Sequence, residues 1–258
     1  MYVVLGCSPR NPEKHCSDGD SCYASGEFEN VLFRLMGIDA FEVSKINIES
    51  LWNSKFLYRL TKSLRNYLKP KLTEESARNH KKLGIQATEY LESILEEELK
   101  VSFRDQVLDQ YGRPLIYLFN RDTEQSYNFR LIQSGWAIPY FIYPNAVSPT
   151  EEGEWEYDMI RLMQDATIEA RENNLGIWEY IHDILIPMEL RFLTRRELPS
   201  KYCADLQNNL LYPPQQYYKV SIEDRLFFYA RDVFAALQEG FKPTNNCDAY
   251  LHRICRVL

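Results

Sequence analysis

FRLMGIDAFE, residues 33–42, is the most informative stretch of this chain, because it joins a predicted strand to a group of charged side chains. Residues 31–38 are mostly apolar, which is typical of a strand, and Arg34 is the charged member of that strand. Asp39 and Glu42 follow it directly. This single segment therefore bears on the fold and on the function together.

Two turns elsewhere in the chain add charged side chains of the same kinds. DGD at residues 18–20 predicts a hairpin turn and supplies Asp20, and DQYGR at residues 109–113 supplies Arg113. Two carboxylates can hold a hard cation, a third can act as a base, and two guanidiniums can bind a phosphate. The two turns and residues 33–42 together supply these groups, which are suited to metal-assisted cleavage of a phosphodiester.

The composition is that of an ordinary folded protein with an acidic balance. Charged residues make up 26% of its 258 residues, and the formal net charge is -7, which argues against binding nucleic acid by bulk electrostatics. No apolar run approaches the roughly 20 residues that span a bilayer, so we expect no membrane partner. The start of the chain lacks the basic and apolar regions of a signal peptide, and the compartment stays unassigned: a signal removed beforehand would make the protein extracytoplasmic.

A basic segment interrupts this acidic chain between residues 45 and 82. It carries ten lysines and arginines against three glutamates, and its leucines recur at helical spacing over residues 48–68. Two interpretations are open: the segment is the solvated face of helices, or it guides the phosphate backbone of a nucleic acid.

In combination, these motifs resemble the staphylococcal nuclease family over about residues 1–180. The matching segments keep the order and spacing of the family: DGDS at 18–21, FRLMGIDAFE at 33–42, YGR at 111–113, SGWA at 134–137 and NLGIW at 174–178. The resemblance implies an α+β fold, a five-stranded OB-fold β-barrel decorated by helices. We expect a nuclease domain over 1–182 with a basic helical insertion at about 45–82.

Residues 183–258 have no counterpart in compact members of the family. Prolines divide this C-terminal extension, which we predict to be mostly helical, with its clearest helix over about residues 222–238. Its role is open. It could dock a protein partner, associate with a second copy, cover the site, or simply pack on the barrel.

The resemblance also implies an activity and a cofactor. Members of this family cleave DNA and RNA with little sequence specificity, require Ca²⁺ and leave 3′-phosphates. By residue-to-residue correspondence, Asp20 and Asp39 would bind Ca²⁺, helped by the backbone carbonyl of Ala40. Carboxylate and carbonyl oxygens are the ligands that calcium prefers.

The remaining roles implied by the resemblance concern the substrate. Glu42 would be the general base toward an attacking water, and Arg34 and Arg113 would contact the scissile phosphate. The implied substrate contacts are three aromatic side chains: Tyr111, Phe141 and Tyr143. Phe41 stands where relatives commonly have proline, so we expect the loop that carries the acidic residues to be less rigid than in those relatives.

A different class of function is also open. Some relatives keep the barrel and lose the catalytic residues, and they serve as catalytically weak or inactive modules that bind nucleic acid or protein. Here all five charged residues implied in catalysis and metal binding are present, which favours the enzyme: Asp20, Arg34, Asp39, Glu42 and Arg113.

Overall fold

Strands of the N-terminal half form a sheet that closes on itself. The computed structural model of the protein describes residues 1–26, 29–43, 46–52, 54–123, 125–145, 155–245 and 247, with the side chains of 52 and 155–158 left out. The strands up to residue 142 are β1 (Tyr2–Leu5), β2 (Cys16–Asp18), β3 (Ser21–Ser25), β4 (Val31–Leu35), β5 (Ile38–Ala40), β6 (Glu98–Ser102), β7 (Leu115–Asn120), β8 (Ala137–Pro139) and β9 (Phe141–Ile142).

The pairing of these strands gives a five-stranded barrel. The sheet runs β1-β6-β7-β4-β3, and β3 pairs back with β1 to close it, while β2 pairs with β3 across the predicted hairpin turn. Strands β4 and β7 are parallel, and the other pairs within the barrel are antiparallel. The predicted α+β class and five-stranded OB-fold barrel are confirmed.

Helices surround this barrel. They are α1 (Ile48–Trp52), α2 (Lys62–Leu68), α3 (Glu74–Ile94), α4 (Tyr127–Gln133) and α5 (Trp155–Glu172). Thr73 and Ser126 begin α3 and α4, since each side chain accepts a hydrogen bond from a backbone N–H three residues on. The apolar spacing of Trp155, Met159, Leu162, Ala166 and Ala170 predicts a helix over about residues 149–173. The start of that helix lies outside the described residues, and Leu162, predicted to be buried, is half exposed.

The described residues of the basic segment, which do not include Lys45 and Asn53, are mostly helical. Its expected long helix over residues 48–68 is divided, because Ser54 and Thr61 each accept a backbone N–H and start a new turn. The stripe of leucines is nevertheless buried: Leu51, Leu57, Leu60, Leu64 and Leu68. These side chains share a core with leucines and aromatic rings of the C-terminal extension.

The C-terminal extension contains a sheet as well as helices. Its elements are α6 (Pro187–Arg195), β10 (Tyr202–Asp205), β11 (Leu210–Tyr212), β12 (Arg225–Phe228), α7 (Val233–Gln238) and β13 (Lys242–Pro243). The prediction of one helix over residues 222–238 is wrong, and the extension is less helical than predicted. Within residues 222–238, Arg225–Phe228 form β12, which pairs with β10 and, in parallel, with β9. The extension is therefore joined to the barrel region through backbone hydrogen bonds, and no described helix is long and apolar enough to cross a membrane.

Candidate active site in the cleft between barrel and extension

Helix α3 positions both loops that carry the predicted acidic residues. A Cβ added to Gly84 would lie 2.6 Å from the backbone oxygen of Phe41 and 2.7 Å from that of Glu42. A Cβ added to Gly19 would lie 2.7 Å from the Cβ of Ala87, one turn further along the same helix. The two glycines therefore allow a backbone approach that fixes the loops against α3.

The loop after Asp39 is held by Phe41 and by His80, which no sequence motif marks. Phe41 is fully buried, and its ring centre lies 4.6 Å from that of His80. His80 Nε2 accepts the backbone N–H of Glu42 at 3.0 Å, and Nδ1–H donates to the Leu185 carbonyl at 2.9 Å. Burial lowers the pKa of His80 to about 4, so the ring stays neutral and can accept. These contacts anchor the segment where relatives commonly have proline.

Arg34 joins the two predicted metal ligands. Its Nη1 donates to Oδ1 of Asp20 at 2.6 Å, and its Nη2 donates to Oδ1 of Asp39 at 2.9 Å. Asp20 also accepts the N–H of Ala40 at 2.9 Å and the hydroxyl of Ser21 at 3.2 Å. Both aspartates are buried, at 2% and 0% exposure, so the guanidinium offsets their charges inside the protein.

A second arginine reaches the same carboxylates from the extension. Arg191 lies on α6, and its Nη2 and Nη1 donate to Oδ2 and Oδ1 of Asp39 at 2.6 and 2.8 Å. Its Nη1 also lies 3.4 Å from Oε1 of Glu42. Burial raises the pKa of Glu42, and Arg191 opposes that shift. Glu42 is the most accessible of the three carboxylates, because 31% of its side chain is exposed.

The hairpin that carries Tyr111 and Arg113 is organised by Asp109. One carboxylate oxygen of Asp109 accepts the N–H groups of Tyr111 and Arg113, at 2.8 and 2.9 Å, and the other accepts Arg113 Nε at 2.8 Å. Arg113 Nη1 reaches Ser21 Oγ at 3.2 Å, next to the loop of Asp20. The structure thus brings Asp20, Arg113 and the Arg34 cluster to one face of the barrel.

A cleft of about 540 Å³ runs between this face and the extension. The barrel lines it with Asp18, Arg34, Glu42, Tyr111 and Arg113, and the extension lines it with Arg191, Arg195, Lys201 and Tyr229. Phe141 is fully buried in the sheet, so in this arrangement it cannot contact a base. The ring of Tyr143 stacks on that of Phe228, with the ring centres 5.1 Å apart. The neighbouring Tyr140 lines the cleft instead, whereas no described lysine or arginine of residues 46–82 does so.

The fit of a calcium ion depends on Arg191. The carboxylates of Asp20 and Asp39 are suitable ligands for Ca²⁺, because they supply oxygen atoms and lie close enough together to share the guanidinium of Arg34. Within the described residues, however, no three His, Cys, Asp or Glu side chains form a group that could hold a metal, and the Ala40 group that meets Asp20 is its N–H. The donor chemistry fits Ca²⁺, but both Asp39 oxygens are bonded to guanidinium groups.

A family model described as staphylococcal nuclease homologue matches residues 32–180, which is more than half of the chain. The chain belongs to the staphylococcal nuclease family. It is also 25% identical over 209 residues to "Endonuclease YhcR" of Bacillus subtilis (strain 168), a match that covers 80% of this chain. The chain spans only 16% of the length of that relative.

The part of the cleft that sequence reasoning missed lies largely outside the matched staphylococcal nuclease segment. Arg191, Arg195, Lys201 and Tyr229 all follow residue 180, and no motif marks them. Tyr140 lies inside the segment and next to the predicted Phe141, so the side-chain alternation of a strand is the one signal that could have pointed to it.

Proposed function

We propose that this protein is a nuclease that hydrolyses phosphodiester bonds of DNA and RNA with little sequence preference, leaving 3′-phosphates. The family match and the endonuclease relative support hydrolysis of nucleic acid. The observation that carries the proposal is that Arg34, Glu42 and Arg113 line one cleft beside the buried aspartate pair.

The arginines have donors to offer a phosphate. Each terminal nitrogen of a guanidinium carries two N–H groups, so Arg34 can hold Asp20 and Asp39 and still donate toward the cleft. Asp109 fixes the orientation of Arg113 through its Nε. Two fixed positive charges stabilise a phosphodiester most when it gains charge during attack by water.

Glu42 is the base in this proposal. Its partly exposed carboxylate takes the proton of the attacking water as the new P–O bond forms, and the bond from phosphorus to the 5′-oxygen breaks. The departing 5′-oxygen takes a proton from solvent water and Glu42 returns its own proton to solvent, so the products are a 3′-phosphate and a 5′-hydroxyl. The raised pKa of Glu42 makes it a better proton acceptor than an ordinary carboxylate.

The cleft favours single strands. The Lys201 ammonium lies 5.8 Å from the ring centre of Tyr140 and 5.0 Å from that of Tyr229, and the Arg195 guanidinium lies 5.4 Å from that of Tyr111. Alternating cations and aromatic rings suit a nucleic acid strand, since cations meet phosphates and rings stack on any base.

Calcium is the proposed cofactor, on the strength of the family resemblance and of the donor chemistry. Asp20 and Asp39 would hold it, with the Ala40 carbonyl as an additional oxygen ligand. Bound there, Ca²⁺ would add positive charge against the phosphodiester oxygens. A binding module that does not cleave is the second candidate, and the engagement of both Asp39 oxygens by arginines is the observation that favours it.

The test is cleavage of single-stranded DNA, duplex DNA and RNA with Ca²⁺ and with a chelator. Exposed Arg121 and Glu98, which pair with each other and do not line the cleft, provide matched controls. Arg113→Ala and Glu42→Gln should lower cleavage at least about 100-fold, while Arg121→Ala and Glu98→Gln should not change it. Binding of the nucleic acids without cleavage under every condition would support the binding module. Mass spectrometry of the products gives the end chemistry.

A further inference from the structure

The extension inserts a guanidinium into the carboxylate cluster of the barrel. Arg191 and Asp39 are 152 residues apart in sequence, yet their side chains form two parallel hydrogen bonds of 2.6 and 2.8 Å. Such a fork-on-fork contact is the most directional pair that these groups can make. Asp39 is fully buried, so its oxygens cannot turn to bulk water for other partners.

The contact is built into the fold, because α6 is fixed on either side of Arg191. Leu190 and Leu193 are buried in the core shared with the basic insertion. Glu189, fully buried, accepts the N–H of Ile186 at 3.1 Å and bonds Lys71 at 3.3 Å. A helix held by an apolar face and a buried ion pair presents Arg191 at a defined place.

We propose that Arg191 and a divalent cation compete for Asp39. This inference rests on the proposed function, in which Asp39 is a cation ligand. Arg191 and Arg34 together donate to both oxygens of Asp39, so a cation can bind that carboxylate only after Arg191 withdraws. A guanidinium and a divalent cation on one carboxylate would also repel each other strongly in a buried site.

The displaced guanidinium has a place to go within the cleft. Arg191 already lies near Glu42 Oε1, at 3.4 Å, and 5.8 Å from the ring centre of Tyr140. Both partners line the cleft. The extension therefore sets the cation affinity of the barrel, and a higher cation concentration is needed than the barrel carboxylates alone would require.

Calcium binding to the intact protein, measured by isothermal titration calorimetry without nucleic acid, tests this competition. Arg191→Ala should bind Ca²⁺ about tenfold tighter or more than the unaltered protein, because the Arg191–Asp39 pair does not have to be broken first. Arg195→Ala is the matched control: Arg195 lies one turn along the same helix, lines the same cleft and has its guanidinium over Tyr111. It should change the affinity only about twofold to threefold, through long-range charge.

Arg191→Lys keeps the positive charge but cannot form the two parallel hydrogen bonds to Asp39. Its affinity for Ca²⁺ should fall between those of the unaltered protein and Arg191→Ala. It also serves if Arg191→Ala does not fold. Equal affinities for Arg191→Ala and the unaltered protein, or the same gain in Arg195→Ala, would overturn the competition and leave the proposed function intact. Absence of calcium binding in every variant would overturn the cation part of the proposed function, and the competition with it. A larger upward shift of the melting temperature by Ca²⁺ in Arg191→Ala is the second readout.

Discussion

The two walls of the cleft differ in charge and in the way their side chains are held. The barrel wall lines the cleft with Arg34, Arg113 and Glu42, whose loop rests on α3, and the buried Asp20 and Asp39 lie behind them. The extension wall carries Arg191 and Lys201 on its side of the cleft. The walls meet where Arg191 binds Asp39. In the proposed function the barrel supplies the reactive groups, and the extension determines whether Arg191 or a cation neutralises Asp39.

Removal of Arg34 from the barrel wall should lower the stability of the protein most, because Arg34 pairs with both buried aspartates. Arg34→Leu would leave Asp20 buried without its charged partner and would leave Asp39 to Arg191. The free energy of unfolding should fall by about 3–5 kcal/mol in urea titrations. Arg121→Leu, at an exposed ion pair, should cost no more than about 1 kcal/mol. A loss for Arg34→Leu as small as that of the control would contradict the role of Arg34 as the link between the aspartates.

The neutral His80, which holds the loop of Glu42, makes the free energy of unfolding depend on pH. Its folded-state pKa of about 4 lies below the ordinary 6.5, so the unfolded chain takes up this proton first as the pH falls. The stabilisation is complete above pH 6.5 and is lost as the pH falls toward 4, by roughly 3 kcal/mol. His80→Gln cannot titrate there, and its unfolding free energy should change less between pH 7 and pH 4.5. Parallel pH profiles of the two proteins would show that another group is responsible.

Gly84→Ala tests the contact between α3 and the acidic loop. The new Cβ would lie within 2.7 Å of backbone atoms of Phe41 and Glu42, so the loop must shift. We expect a loss of about 1–3 kcal/mol in stability, together with lower cleavage activity. Ile85→Ala, at an exposed position next to it on α3, should change neither by much. Unchanged activity in Gly84→Ala would mean that the position of Glu42 is not set by α3.

The smallest effects belong to the extension wall. Lys201→Ala and Arg195→Ala should each weaken binding of a single-stranded oligonucleotide only a few-fold, measured in chelator by fluorescence anisotropy. Each should also reduce the slope of log affinity against log salt by about one. Lys242→Ala, on the extension but away from the cleft, is the control. If the slope of log affinity against log salt equals that of the control, Lys201 and Arg195 do not contact the bound strand.

The barrel and most of its site could be predicted from the sequence because their signals are local. The Asp18-Gly19 turn, the strand with Arg34 and the hairpin of Arg113 each lie within a few residues and keep a family spacing. The extension could not, because its strands have only two to four residues and are defined by distant partners, as β12 is by β9. In the sequence, Arg191 cannot be distinguished from an ordinary arginine of a helix, and only the tertiary fold brings it to Asp39.

The most direct test of the account is a crystal structure of Glu42→Gln with Ca²⁺ and a short single-stranded oligonucleotide. It should show a phosphate bound by Arg34 and Arg113, with bases against the aromatic rings of the cleft and Arg191 displaced from Asp39. An oligonucleotide bound outside this cleft, with Arg191 still on Asp39, would contradict the account.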